Sequence, residues 1–492
     1  MSLVEDLSTP SLHSQHLHEL FVSHKKDNRR HAIMALDLFV VLIYAAGMLV
    51  LGYYGMRKAK THEDYLVAGR NLGPSLYMGT MAATVLGGAS TVGTVRLGYV
   101  HGISGFWLCA ALGLGIMALN LFLAKPLLKL RIFTVTQVLE KRYNPMARQA
   151  SAVIMLAYAL MIGVTSILAI GTVLQVLFGL PFWISVLLGG GVVVVYSAIG
   201  GMWSLTLTDI VQFVIKTVGL MFILLPICLY RVGGWDELVA KLPASSFSFT
   251  TIGWDTIITY FMIYFFGILI GQDIWQRVFT AKTEKVAQYA GTLAGFYCIL
   301  YGLVCALIGM AAHVLLPDLD NVNNAFAAIV KAALPDGIRG LVIAAALAAM
   351  MSTASAGLLA ASTTLTEDLL PKLRGGKQSS LGINRLFTFL TGILVLGIAL
   401  VVNDVISALT LAYNLLVGGM LIPLIGAIFW KRATTSGAIA SMGLGFVTAL
   451  VFMFKDGLDA NTPIYYSLAV GLASFVVVSL VSRRTAPLSN AV

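Results

Sequence analysis

Charged residues are scarce in this chain of 492 residues: Asp, Glu, Lys and Arg together make up 11%, whereas 58% of the residues are hydrophobic. Soluble globular domains contain about 25% charged residues on average. The composition therefore excludes an ordinary soluble globule. Cysteine is scarce as well, and its four residues lie in separate apolar runs, at Cys109, Cys228, Cys298 and Cys305. Cysteines scattered in this way are typical of packing positions and argue against a disulfide framework or a cysteine metal cluster.

Acidic residues are too sparse within the apolar runs to build a membrane-embedded enzyme. Such an enzyme needs His, Asp or Cys side chains clustered on facing helices, and the sequence offers no such grouping. We therefore expect no enzyme activity. The net charge of +10 would suit nucleic-acid binding, but the basic residues follow a membrane pattern, so we expect the lipid bilayer as a partner and no nucleic acid.

Apolar runs of spanning length are what the sequence has in abundance. A hydrocarbon core of about 30 Å requires about 20 helical residues. We predict membrane spans at 36–56, 74–95, 102–128, 148–177, 181–199, 207–231, 255–276, 286–317, 338–366, 379–401, 404–430, 434–454 and 463–482. These runs predict an all-α integral membrane protein with about 13 transmembrane helices. They form one domain, 34–484, between a polar tail at 1–33, interpreted as disordered or as an over-long start before Met34, and a cytoplasmic tail at 485–492.

Basic residues alternate strongly between the two sides of the predicted membrane. From Met34 onward, 21 Lys and Arg residues fall in the segments on one side and six in the segments on the other. Cytoplasmic loops carry the excess of Lys and Arg. We therefore expect the N-terminus outside and the C-terminus in the cytoplasm.

Two of the apolar runs contain glycines at corresponding places. Gly87 and Gly88 interrupt the second run, and Gly267 and Gly271 interrupt the seventh. Interrupted spans at matching points of two halves are typical of secondary transporters, whose binding sites lie at the membrane midplane. Helices two to six and seven to eleven can be superposed as two sets of five with opposite topology. The sequence therefore predicts a 5+5 inverted repeat with broken helices 2 and 7.

Four short segments, in order along 36–430, resemble the sodium:solute symporter family. They are DYLVAGRNLGP at 64–74, YSAIGGMWS with TDIVQ at 196–212, QR with AK at 276–282, and MSTAS with TED at 351–368. The resemblance implies a LeuT-like fold, sodium coupling and alternating access, in a bacterial inner membrane. It implies import of a small organic solute, with sodium as the co-transported ion and no organic cofactor.

The resemblance also implies a sodium site. Sodium is a hard cation that prefers oxygen ligands, which freed carbonyls and hydroxyls supply in a membrane. The family pattern assigns it to the hydroxyls of Ser352 and Thr353 and the carbonyl of Ala349. The opposing carbonyls correspond to Ala83 and Leu86, just before the first break. The alternative for the two hydroxyls is a hydrogen bond back to their own helix.

Two charged residues near this site have open interpretations. Asp209 either caps the sixth helix or lies on the sodium exit path, and a proton on its carboxylate is the basis of a proton-coupled alternative. Lys216 lies well inside a span, where charged residues mark functional sites. It either pairs with Asp209, faces an anionic solute, or extends along the helix towards the cytoplasm.

The solute is expected between the two breaks. Candidate residues are Ser90, Thr91, Tyr264, Phe265, Phe266, Gly267, Tyr413 and Asn414. Gly267 stands where sugar-carrying relatives have an aromatic gate, and Val85 where proline-carrying relatives have an aspartate. With little fixed charge there, helix dipoles and hydroxyls favour an amino-acid zwitterion or a monocarboxylate. A choline-like cation held by aromatic rings is the alternative solute, and an uncoupled uniporter or channel is the alternative function. The residues do not indicate an oligomeric state.

Overall fold

The structure is a computed structural model that describes residues 12–335, 337–373, 375 and 379–482, with side chains from Ala35 onward except at 372–373. The tails predicted at 1–33 and 485–492 lie outside the part whose side chains are described. The first half contains α1 (Leu12–Lys58), α2 (His62–Val67), α3 (Pro74–Val85), α4 (Thr94–His101), α5 (Trp107–Ala118), α6 (Ala124–Lys129), α7 (Thr136–Arg142), α8 (Pro145–Phe178), α9 (Phe182–Lys216), α10 (Leu225–Val232) and α11 (Trp235–Lys241). The second half contains α12 (Trp254–Tyr260), α13 (Phe266–Ile270), α14 (Gln272–Val278), α15 (Glu284–Leu315), α16 (Ala325–Ala333), α17 (Ile338–Thr363), α18 (Leu370–Leu373), α19 (Leu381–Ala399), α20 (Val405–Phe429), α21 (Thr435–Asp456) and α22 (Thr462–Val481).

Polar caps mark where several long helices begin. Asn144, Thr283, Ser380, Asp404 and Thr434 each accept a hydrogen bond from the backbone N–H three residues later. Such N-caps satisfy backbone donors that the helix itself leaves unpaired. The change from apolar run to polar linker in the sequence therefore coincides with the physical start of these helices.

The all-helical prediction is confirmed for the described residues, in which the apolar helices are fewer and some are longer than predicted. Within the described residues, ten helices are long and apolar enough to cross a membrane, or eleven with one bent pair. Two of them, Ala89–Lys129 and Phe182–Val232, contain 41 and 51 residues, about twice the length that a bilayer requires. Each contains a glycine with positive φ, Gly102 at 64° and Gly201 at 54°. The predicted thirteen spans depend on treating both glycines as turns, and the number stays a prediction.

The first predicted break is confirmed. Helix α3 ends at Val85, Leu86 has φ −89° and ψ 68°, and helical structure resumes as a π-helix at Ala89 that leads into α4. A Cβ on Gly87 would collide with the Thr353 side chain of α17. The glycine at the break therefore permits α17 to approach the open end of α3.

The second break lies at Gly271 alone. This residue is extended, with φ −69° and ψ 131°, and the chain bends by 47° there. The prediction that Gly267 also interrupts the helix is wrong, because Gly267 lies inside α13. Glycine is tolerated in a helix where packing requires it, and a Cβ on Gly267 would collide with the ring of Tyr413.

Helix α17 is the centre of the structure. In its most apolar stretch, 94% of the residues are buried. Helix α17 packs against α8, α9 and α1, and it also contacts α3 of the first broken helix. Small residues such as Ala344–Ala346 and Gly357 allow this close approach. Outer helices present large apolar side chains instead, including Phe39 on α1 and Phe454 on α21, which are 59% and 89% exposed. Such a surface suits a lipid environment.

A histidine outside the spans links α2 to the end of the α17 region. His62 Nε2 lies 3.1 Å from Glu367 Oε1, within the π-helix Thr364–Leu369 that extends α17. The pKa of His62 is raised above its ordinary value of 6.5, mainly by the hydrogen bond with the Glu367 carboxylate. Partial burial of the imidazole acts in the opposite direction and is the smaller effect. The contact therefore joins two helices through a group that titrates near neutral pH.

Gly201→Ala is expected to destabilise the protein. The backbone at φ 54° and ψ −139° is a conformation that only glycine adopts readily, and the added Cβ would lie 2.5 Å from the Tyr65 carbonyl oxygen. We expect a loss of roughly 1–3 kcal/mol, seen as a lower unfolding temperature of the purified protein. Gly191→Ala is the matched control in the same helix, because nothing lies within 4 Å of its Cβ position. Equal effects of the two substitutions would contradict the constraint at Gly201.

His62→Gln is expected to change the pH dependence of stability. The folded-state pKa of His62 is raised, so its contribution to stability is fully present below the unfolded-state pKa and is lost as the pH rises through the folded-state value. We expect a lower unfolding temperature for the variant at about pH 6 and little change at about pH 8.5. Glu367→Gln should remove the same pH dependence. A loss that is equal at both pH values would show that the ion pair is not its cause.

Candidate functional site

The candidate sodium site lies where the open end of α3 meets the middle of α17. Ser352 Oγ lies 2.8 Å from the carbonyl oxygen of Ala83 and 2.9 Å from that of Ala349. Thr353 Oγ1 donates to the carbonyl of Thr84 at 2.6 Å. The last carbonyls of a helix have no partner within that helix and carry partial negative charge. The site therefore joins oxygen atoms from two helices in one buried place.

Hydrogen bonds connect three of the five predicted sodium ligands directly. Ala83, Ala349 and Ser352 are connected by the hydrogen bonds just described. Thr353 donates to the carbonyl of Thr84, the neighbour of Ala83, and Leu86 follows at the break itself. The alternative of a bond to the same helix is also realised for Ser352, which contacts Ala349 as well as Ala83. One hydroxyl thus serves both helices.

A further hydroxyl at the break was not anticipated from the sequence. Ser166 of α8 is fully buried, its Oγ has no hydrogen-bond partner, and it lies 2.9 Å from the position of a Cβ on Gly87. The sequence signal was its place beside Thr165 in the middle of an apolar run. Thr84, whose carbonyl receives the Thr353 hydroxyl, was also missed, because a backbone carbonyl has no signature in the side-chain pattern.

Lys216 is buried against the same end of α3. Its side chain is fully shielded from solvent, and Nζ lies 3.4 Å from the carbonyl oxygens of both Ala82 and Ala83. The interpretation in which Lys216 extends towards the cytoplasm is therefore wrong, because buried backbone carbonyls of α3 hold the ammonium group. The ring of Tyr301 lies 5.8 Å from Nζ on another side.

Asp209 links three helices and does not cap one. It lies inside α9, well beyond Gly201, so the capping interpretation is wrong. Thr80 Oγ1 of α3 donates to its Oδ2 at 2.5 Å, and Arg277 Nη2 of α14 lies 3.5 Å from the same oxygen. Both ends of this ion pair are fully buried. The charged partner of Asp209 is therefore Arg277. Thr80, which also holds Asp209, lies one turn of α3 before the carbonyls of Ala83 and Thr84.

The predicted solute residues fall into two groups that the structure places differently. In the first broken helix, Ser90 Oγ donates to Val85 O across the break at 2.8 Å, and Thr91 Oγ1 is 2.8 Å from the hydroxyl of Tyr301. Near the second broken helix, the ring of Tyr264 lies edge to face with the ring of Tyr413 of α20, at a centroid distance of 5.4 Å.

Tyr413 has neighbours on both sides. The ring of Tyr158, on α8, lies 5.3 Å from it, which makes a row of three tyrosines with Tyr264. Gly267 leaves the space that the Tyr413 ring occupies. Asn414 is buried, and its Oδ1 has no hydrogen-bond partner. Tyr158 was missed because aromatic residues in an apolar run are usually packing residues.

Phe265 and Phe266 line a different space. Both border an apolar cavity of about 320 Å³ together with Phe122 and Phe429, which are 74% and 75% exposed. This cavity lies on the outer, apolar surface of the helices. The two phenylalanines therefore face away from the row of tyrosines that Tyr264 joins.

A larger cavity of about 540 Å³ reaches the first broken helix from one end of the molecule. Its lining includes Val92 and Gly93, which follow Thr91. Arg96 and Asp404 also line it and form an ion pair with a distance of 2.8 Å between Nη1 and Oδ2. The cavity therefore brings open, polar space to the helix that carries Ser90 and Thr91.

Comparisons of sequence identify the family. The sequence model of the sodium:solute symporter family matches residues 65–445. The osmoregulated proline transporter OpuE of Bacillus subtilis (strain 168) is 26% identical over 484 residues, which cover 93% of this chain and 97% of the relative. A sodium/proline symporter of Staphylococcus aureus (strain JH9) is 25% identical over 441 residues, which cover 84% and 85% of the two chains.

Comparisons of structure give the same fold. A Na⁺-coupled sialic acid symporter, in a substrate-bound outward-open state, has a TM-score of 0.78 at 20% identity, with 92% of this chain and 99% of the other covered. Mhp1, a nucleobase-cation-symport-1 family transporter in a closed conformation, has a TM-score of 0.55 at 14% identity, with 86% and 96% covered. The LeuT-like fold expected from the sequence is confirmed. The chain belongs to the sodium:solute symporter family and is a multi-pass membrane protein that carries a small solute together with sodium, not an enzyme.

Proposed function

We propose that this symporter binds sodium at the crossing of α3 and α17 and imports a small amino-acid zwitterion or a monocarboxylate. The sodium ligands are the carbonyls of Ala83, Leu86 and Ala349 and the hydroxyls of Ser352 and Thr353. The observation that carries the proposal is the direction of the two hydroxyls, which point at carbonyls of the open helix end. The site is thereby formed by two helices that belong to different repeats.

The hydrogen bonds at the site allow sodium to bind and leave reversibly. In the structure, Ser352 and Thr353 donate to the carbonyls of Ala83 and Thr84, so these buried oxygens have partners. A hydroxyl can rotate its hydrogen away and present a lone pair instead. A bound sodium ion then replaces the hydrogen bonds with ion–oxygen contacts. Neither state leaves the helix end without partners, which would be costly in a membrane.

Asp209 is proposed to lie on the path that sodium takes towards the cytoplasm. It is fully buried one turn of α3 away from Ala83, held by Thr80 and Arg277. Arg277 belongs to α14, which follows the second break, and Thr80 belongs to α3 of the first, so Asp209 contacts both broken helices. Movement of one repeat against the other is the basis of alternating access, and this ion pair joins the parts that would have to move.

The solute is proposed to bind between Ser90 and Thr91 on one side and Tyr264, Tyr413 and Asn414 on the other. A solute carboxylate would suit the beginning of the half-helix after the first break, where the helix dipole is positive. The names of the two bacterial relatives indicate proline as their solute, which supports an amino acid here. Val85, where proline-carrying relatives have an aspartate, favours a different small acid over proline itself.

A choline-like cation is the second candidate solute. The row formed by Tyr158, Tyr413 and Tyr264 favours it, because aromatic faces attract quaternary ammonium groups.

For the location and orientation, we propose a bacterial inner membrane with the N-terminus outside. The cavity beside Arg96 then opens to the outside and gives the solute its entrance.

Thr353→Val is expected to weaken sodium coupling. Wild type and variant are reconstituted in proteoliposomes with an inward sodium gradient. Uptake of labelled proline, other amino acids, monocarboxylates and choline is then measured as a function of the sodium concentration. The isosteric change removes one proposed sodium ligand, and we expect the half-saturating sodium concentration to rise roughly tenfold or more, as for the loss of a hydrogen bond to a charged group.

Thr364→Val is the matched control for this experiment. Thr364 is buried on the same helical path, and its hydroxyl donates to the carbonyl of Ala360, one turn earlier in that path. It should leave sodium dependence unchanged. Solute accumulation that a proton gradient drives equally well in sodium-free buffer, with no effect of Thr353→Val, would contradict the proposed site.

A further inference from the structure

Lys216 places a positive charge beside the proposed sodium site. Its Nζ lies 3.4 Å from the Ala83 carbonyl oxygen, the same atom to which Ser352 Oγ donates at 2.8 Å. A sodium–oxygen contact resembles the 2.3–2.6 Å of other hard cations, so a sodium ion on this carbonyl would lie within about 6 Å of the ammonium nitrogen. Two cations would then share one carbonyl.

The Ala83 carbonyl has no free capacity for a third partner. A carbonyl oxygen offers two lone pairs, and this one has two donors, Lys216 and Ser352. Ser352 can turn its hydroxyl hydrogen away and remain as an ion ligand, whereas an ammonium group has only donors. Once the Ser352 hydrogen has turned away, one lone pair of the Ala83 carbonyl is open to sodium, and the ammonium group of Lys216 on the same oxygen is the partner whose charge repels the ion.

The buried charges around the site already balance without sodium. Helices α9 and α14 carry four charged side chains, all buried: Asp209, Lys216, Asp273 and Arg277. When all four are ionised, their charges cancel. A sodium ion adds one positive charge to a region of low dielectric constant, where charges interact strongly. The ammonium group nearest to the site is the one that opposes the ion.

We propose that the ammonium group of Lys216 is a tethered competitor of sodium, which holds the Ala83 carbonyl until sodium displaces it. Lys216 thereby sets the sodium concentration at which the carrier loads. The inference rests on the proposed sodium site at α3 and α17. It also explains why a lysine is buried against the end of α3.

Direct binding of radioactive sodium to the purified protein in detergent tests this proposal at one fixed pH. Lys216→Met removes the charge and keeps the length of the side chain. We expect its half-saturating sodium concentration to fall roughly tenfold or more, because a repelling charge a few ångströms away is lost. Lys216→Arg retains the charge and should bind sodium no more tightly than the wild type. Lys285→Met is the control for an exposed lysine and should change nothing.

Two further variants keep the result interpretable. Lys216→Gln also removes the charge and retains a hydrogen-bond donor for Ala83, so it should tighten sodium binding even if Lys216→Met does not fold, as judged by its unfolding temperature. Folded Lys216 variants without charge that bind sodium as weakly as the wild type, or more weakly, would overturn the proposal. If Thr353→Val weakens binding in the same experiment, the sodium site stands and only the competition fails. If Thr353→Val has no effect, the proposed site itself fails.

Discussion

The open end of α3 is the feature on which the rest of the structure depends. A helix that stops within a membrane leaves carbonyl oxygens without partners, and lipid offers none. Here the hydroxyls of Ser352 and Thr353 and the ammonium group of Lys216 provide the partners. Close approach of α17 is possible because Gly87 has no side chain and α17 is rich in alanine. The same atoms that resolve a structural problem provide oxygen ligands for an ion.

A symporter must also couple ion binding at one site to movement of the two repeats. Asp209 and Arg277 are buried as a pair and connect α9 with α14, and Thr80 adds α3 to them. Removing one partner of a buried pair is costly, because the other charge is left uncompensated. The pair therefore holds the two broken helices in a defined relation. Any movement between the repeats must either carry the pair along or break it.

The sequence was informative wherever a local pattern had a local cause. Adjacent glycines in an apolar run predicted the break at Gly87 and Gly88, and the motif around Ser352 placed the two hydroxyls. The sequence was misleading where tertiary packing decides the conformation or burial of a residue. Gly267 is in a helix because the ring of Tyr413 needs its space, and Lys216 is buried because α3 ends beside it.

Other parts of the site have no signature in a single sequence. The pairing of Asp209 with Arg277 joins residues 68 positions apart in the chain, and neither neighbour pattern nor periodicity indicates it. The direction in which Phe265 and Phe266 point depends on where the half-helix α13 lies after folding. The number of spans depends on Gly102 and Gly201, whose φ values a sequence does not record.

A structure determined with thallium in place of sodium tests the central claim most directly, because this heavier monovalent cation can be located by its anomalous scattering. The account predicts a peak in contact with the carbonyl oxygen of Ala83 and the hydroxyl oxygens of Ser352 and Thr353, with the Lys216 ammonium group moved off Ala83. Excess sodium should remove the peak. A peak elsewhere in the protein, with Ser352 and Thr353 still hydrogen-bonded to α3, would contradict the account.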